Sequence, residues 1–126
     1  MKLRIKGNSL RLRVSPSELE RLMSAGRVEE IVRFTPGPDA KLTYALEQAA
    51  SNQEIAVRYS PQELTVVLSV ESVREWAQSK LVGIYGAVDV GSGQLTLAVE
   101  KDFACLDSSD TGNEDTFANP NSAKVC

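Results

Sequence analysis

Apolar and basic residues alternate at the start of this chain. In residues 1–14, MKLRIKGNSLRLRV, basic residues separate Leu3 from Ile5 and Leu10 from Leu12 and Val14. A period of two marks a half-buried strand. The phase shifts once, between Ile5 and Leu10, so one straight strand would send the two apolar sets to opposite faces. A two-residue loop at Gly7-Asn8 removes the conflict. It pairs Lys6 with Ser9, Ile5 with Leu10, Arg4 with Arg11, Leu3 with Leu12 and Lys2 with Arg13. Gly and Asn both tolerate the positive φ of such turns. The rival is one long strand bulged at Gly7; the hairpin explains the phase shift without a further assumption. It gathers the apolar side chains on one face and Lys2, Arg4, Arg11 and Arg13 on the other.

Ser15-Pro16-Ser17-Glu18 then starts a helix, with a capping serine, a first-turn proline and a capping-box glutamate. Leu19, Leu22 and Met23 form its apolar stripe and Gly26 suits its stop, so it spans 16–25. Residues 27–34 and 41–47 alternate as strands around the turn Thr35-Pro36-Gly37-Pro38-Asp39. Helical propensity in residues 45–50 leaves the end of the second strand open. Two more strands follow, with Ile55, Val57 and Tyr59 in phase, then Leu64, Val66 and Leu68, joined at Ser60-Pro61-Gln62. A second helix over 70–79 is capped by Ser69 and carries Val70, Val73, Trp76 and Ala77 on one face. Trp76, the only tryptophan, reads as core there. Residues 81–90 and 94–101 form a last hairpin through Gly91-Ser92-Gly93, and Gly83 and Gly86 weaken its first arm.

The order is hairpin, helix, hairpin, repeated once. It predicts an α+β domain over 1–106: a mostly antiparallel sheet of about eight strands with two short helices, built as two ββαββ units. The helices should cover one face of the sheet or plug a curved one. Residues 107–126 are polar and acidic and should form an irregular tail that only Phe117 and Val125 can anchor.

Charge changes this picture. The net charge of the 126 residues is −3, but residues 1–13 carry +5, residues 14–99 carry −4 and residues 100–126 carry −4. The basic hairpin face therefore has an internal partner available, the acidic tail, as well as any external one. No apolar run reaches the ~18 residues of a membrane span, and no signal peptide is expected where bases interrupt the apolar residues. The expected compartment is the cytoplasm, with Cys105 and Cys126 reduced. The absence of histidine excludes Ser-His and Cys-His nucleophilic sites and histidine-bearing zinc sites.

The remaining candidate chemistry is sparse. Lys101, Asp102 and Cys105 sit where the last strand meets the tail, and a thiol beside Lys101 would be a nucleophile if its pKa fell; a buried packing thiol is the plainer expectation. Asp107, Ser109, Thr111, Gly112, Asn113 and Asp115 follow calcium-loop spacing, but Ala118 stands where the bidentate glutamate belongs. No metal and no cofactor is expected. Nucleic acid is the third choice of partner, because the basic hairpin lacks the aromatics that stack bases.

The motifs MKLRIKGNSLRLR (residues 1–13), LTYALE (42–47) and EKDFACL (100–106) together resemble those of a family of short bacterial proteins of unknown function. Residues 113–120, NEDTFANP, fit its acidic-aromatic-proline tail loosely, with Ala118 in place of a proline. The resemblance implies a bacterial cytosolic origin and no reaction. The leading expectation is a non-catalytic binding or accessory protein, monomeric or homodimeric. Its partner would be a protein or a small anion, held by Lys2, Arg4, Arg11 and Arg13 beside Glu100–Leu106. An enzyme centred on Lys101, Asp102 and Cys105 is the alternative.

Overall fold

The computed structural model describes residues 1–103 and Phe117. Strands β1 (Lys2–Lys6) and β2 (Ser9–Val14) form the expected hairpin, with each of the five pairs in the register read from the alternation. The turn uses its two residues unequally. Gly7 supplies the positive φ of 54° and Asn8 does not, which is the pattern of a type II′ turn. Asn8 instead ties the hairpin to its neighbour: its side-chain amide donates to the Gln94 carbonyl at 2.8 Å, and its carbonyl accepts from the Thr96 N–H at 3.1 Å.

Helix α1 (Pro16–Ala25) carries the full capping box of Ser15 and Glu18, and Gly26 closes it in the left-handed region. The chain continues through β3 (Arg27–Arg33), β4 (Lys41–Ala49), β5 (Ile55–Ser60), β6 (Glu63–Ser69), α2 (Val70–Gln78), β7 (Gly83–Asp89) and β8 (Gln94–Lys101). The ambiguous residues 45–49 are strand. β4 is bonded on both sides, to β3 and β6, and Ala45 and Leu46 are wholly buried; packing overrides a weak helical preference.

The α+β class, the eight strands and the two helices stand, but the strands divide into two four-stranded sheets, β1-β2-β8-β7 and β3-β4-β6-β5. Each is mixed: β2 pairs with β8 in parallel, and so does β4 with β6. Single residues, Ser15 and Gly26, link α1 to its flanking strands, so no spare chain brings β3 back beside β2. The ββαββ units therefore interlock. The outermost hairpins of the chain share one sheet and the two inner hairpins share the other.

The two halves are related by a pseudo-two-fold. The Thr96 N–H bond to the Asn8 carbonyl recurs as Thr43 N–H to the Gln62 carbonyl, and Lys101 N–H to Val82 recurs as Gln48 N–H to Gly26. In the core, Leu12 matches Val66, Leu46 matches Val99, Val28 matches Ile84, and Leu22 of α1 matches Trp76 of α2. The sheets also approach at matching edges. A Cβ on Gly86 would lie 2.4 Å from Ile55 Cγ2; at the equivalent place the Met1 ammonium pairs with Glu30 at 3.0 Å, and it pairs with Glu18 as well. Gly86→Ala should therefore cost about 1–3 kcal/mol by overpacking. Adding Ile55→Leu, which removes the Cγ2 methyl at nearly constant volume, should recover part of that loss, which a double-mutant cycle in urea reads as coupling.

Candidate anion-binding face

Alternation turns the outer face of the β1-β2-β8-β7 sheet basic, and its two ends differ. At the end near Val14 the bases are matched. Glu100 faces Arg11 Nε at 3.3 Å and Arg13 Nε at 3.8 Å, and accepts the Tyr85 hydroxyl at 2.7 Å. Lys2 Nζ meets Asp102 at 2.8 Å. Burial, and then the bond to Glu100, push Tyr85 up to about 12, so it stays a proton donor at neutral pH. At the turn end the matching stops. Arg4, Lys6, Ser9, Arg11, Thr96 and Ala98 surround a depression of about 330 Å³. Among the described residues neither Arg4 nor Lys6 has an ion pair, and the Ser9 hydroxyl donates to the Lys6 carbonyl at 2.6 Å.

The pseudo-two-fold supplies an internal control. On the outer face of the other sheet, Arg27 reaches Glu29, Glu47 and Glu63 at 3.0, 2.9 and 2.7 Å, and Arg58 reaches Glu47 at 3.1 Å. Thr43, Ala45 and Thr65 are buried there. The registers make Arg58 the counterpart of Arg4, Glu47 of Glu100, Glu63 of Ser9, Thr65 of Arg11 and Arg27 of Gly83. The basic face thus has Ser9 and Tyr85 where the other has the carboxylates of Glu63 and Glu29, and its guanidinium comes from Arg11 instead of position 83. No side chain fits at position 83, because a Cβ would sit 2.3 Å from the Val99 carbonyl oxygen.

The compensated face responds to acid. Burial opposes the charge of Arg27, but its bonds to the three glutamates outweigh burial and raise its pKa. The bond from Arg58, reinforced by Arg27 against burial, holds Glu47 below the usual carboxylate range. A carboxylate depressed in the folded state contributes stability above its unfolded pKa and loses it as the pH falls through the folded one. The melting temperature should therefore fall below about pH 4.5, and Glu47→Gln should flatten that fall while lowering the plateau at pH 7.

Of the residues singled out from the sequence, Arg4 and Arg11 line the depression, while Lys2 and Arg13 lie at the neutralised end with Asp102 and Glu100. Lys101 is elsewhere. Its strand phase turns it inward, where it is 8% exposed. Its Nζ donates to the Ser79 carbonyl at 2.9 Å and lies 5.5 Å from the centre of the Phe117 ring. Burial lowers its pKa. Lys101 and Asp102 thus occupy opposite faces of the sheet and do not converge on one site. Cys105, Cys126 and the calcium-like spacing fall outside the described residues, as does any contact of residues 107–116 with the basic face. The Phe117 N–H donates to the Asp102 carbonyl at 2.8 Å and its ring meets Phe103 edge-on at 6.0 Å. Lys6, Ser9 and Thr96 are additions. Lys6 was present in the alternation, whereas Thr96 reaches the depression only through the long-range parallel pairing of β2 with β8. Among the described residues no carboxylate or thiol cluster could hold a metal, and no helix is long and apolar enough to cross a membrane.

These features define an α+β protein of two interlocked ββαββ units, with glutamate-matched arginines at the centre of one outer sheet face and a basic hairpin on the other. Residues 1–121 match the model of a family of unknown function, DUF7009, and the chain belongs to that family. No curated protein and no solved structure matches it.

Proposed function

We propose that the protein is a non-catalytic binding protein of the bacterial cytoplasm, and that the basic outer face of the β1-β2-β8-β7 sheet docks an anionic partner. Residues 1–106 act as one domain, as monomer or homodimer, with residues 107–126 as an acidic tail. The observation that carries this reading is the unequal centre of the two faces: glutamates match Arg27 and Arg58 on one sheet, whereas among the described residues Arg4 and Lys6 have no ion pair around a depression on the other. Unmatched cations on a rigid strand attract anions without first breaking an internal ion pair. Lys2 and Arg13 widen the field, with Asp102 and Glu100 limiting it at one end. The separation of Lys101 from Asp102 speaks against the enzyme alternative. Against nucleic acid, the β1-β2 hairpin carries no aromatic to stack bases, while Tyr85, the aromatic that β7 adds to the face, is held by Glu100.

The test is a titration with labelled poly-Glu at low and at physiological salt. Affinity should fall as salt rises, and Arg4→Ala with Lys6→Ala should weaken it by about tenfold or more. Binding by the double variant equal to that of the parent chain would refute the assignment.

A further inference from the structure

β1 is an edge strand, and its free edge has a definite chemistry. The Gly7-Asn8 turn closes the Lys6–Ser9 pair, so alternation directs the backbone groups of Lys2, Arg4 and Lys6 toward β2 and those of Leu3 and Ile5 outward. Among the described residues β1 pairs with β2 alone. The Met1 carbonyl is taken by the Tyr44 hydroxyl at 3.2 Å; among the described residues Leu3 and Ile5 have no such partner. Ile5 points to the apolar face, yet it is 60% exposed. On the other face of the same edge stand Arg4 and Lys6. An incoming strand would thus meet backbone donors and acceptors, an apolar side chain below and two cations above that the other described residues leave unpaired.

We propose that the anionic partner is an extended polypeptide segment that adds to the sheet beside β1, with acidic residues alternating with apolar ones. The acidic side chains lie opposite Arg4 and Lys6, and the apolar ones cover Ile5. This deepens, and rests on, the reading of the face as anion-binding. Charge selects the occupant. A second copy of β1 would set Lys2, Arg4 and Lys6 against like charges, and opposed like charges destabilise a strand pair. The same residues that discourage self-pairing favour an acidic strand, so one feature provides both attraction and exclusion.

The test uses the full chain and two end-capped labelled peptides of identical composition, one alternating Glu and Val, the other with the same residues in two blocks. The alternating peptide should bind about tenfold tighter and should slow hydrogen exchange at the Leu3 and Ile5 amides. Ile5→Pro removes an outward N–H that β2 does not use, a change edge strands tolerate, and should reduce the alternating peptide to the affinity of the block peptide. Methylating alternate nitrogens of the alternating peptide should do the same without touching the protein. Equal binding of both peptides, with no added protection at Leu3 and Ile5, would overturn strand addition and leave the anion-binding face standing. Binding of neither at low salt would overturn both. Protection of these amides that grows with protein concentration alone would assign the edge to a second copy and overturn the proposal.

Discussion

Trp76→Ala should cost about 3–5 kcal/mol, against a total stability of about 5–15 kcal/mol for an ordinary domain. Trp76 is wholly buried on α2, opposite the place its counterpart Leu22 fills from α1. Truncation leaves a large void that two rigid sheets cannot close. A second effect follows from the indole N–H, which donates to the Val82 carbonyl at 3.0 Å. That carbonyl also accepts from the Lys101 N–H at 2.9 Å, and Lys101 Nζ holds the Ser79 carbonyl. Trp76 thus fixes the connection between α2 and β7 on which Lys101 rests. Trp76→Phe keeps most of the volume and leaves Val82 one of its two donors, so it should cost only about 1–2 kcal/mol. Urea unfolding followed by circular dichroism measures both, since each variant removes the only tryptophan. A cost below about 1 kcal/mol for Trp76→Ala would contradict the described core.

Ser9→Glu should abolish most anion binding at the basic face. Position 9 is the counterpart of Glu63, whose carboxylate helps to neutralise the other sheet. A glutamate at position 9 would sit in the depression between Arg4, Lys6 and Arg11 and compete with any external carboxylate. Its effective concentration there is high, so a loss of about ten- to hundredfold in affinity for poly-Glu is expected. The substitution tests the role of missing compensation more directly than deletion of a base does, because every cation of the face is retained. Unchanged affinity in Ser9→Glu, with the fold intact by circular dichroism, would separate binding from this depression.

The β1-β2 hairpin is legible in the chain to the residue, because a period of two with a single phase break admits few registers. The α1 boundaries are equally legible, since Ser15, Pro16, Glu18 and Gly26 each act locally. What governs the site is not local. The division into two sheets depends on β2 finding β8, more than eighty residues away in the register Ser9 to Thr96, and no local pattern encodes that pairing. The same long-range contact brings Thr96 and Ala98 to Arg4 and sets Glu100 between Arg11 and Arg13. Among the described residues, charge matching therefore comes from the body of the fold at one end of the face and stops at the other. Lys101 and Asp102, neighbours in the sequence, lie on opposite faces because adjacent residues near the end of a strand point to opposite sides.

The most direct measurement is an amide chemical-shift titration of the whole chain with an acidic polypeptide at low salt, read on both sheets at once. Saturable shifts are expected at Arg4, Lys6, Ser9, Arg11 and Thr96, with the equivalent positions Arg58, Ser60, Glu63, Thr65 and Thr43 unmoved. Equal shifts on the two faces, or shifts confined to the compensated one, would contradict binding at the basic face.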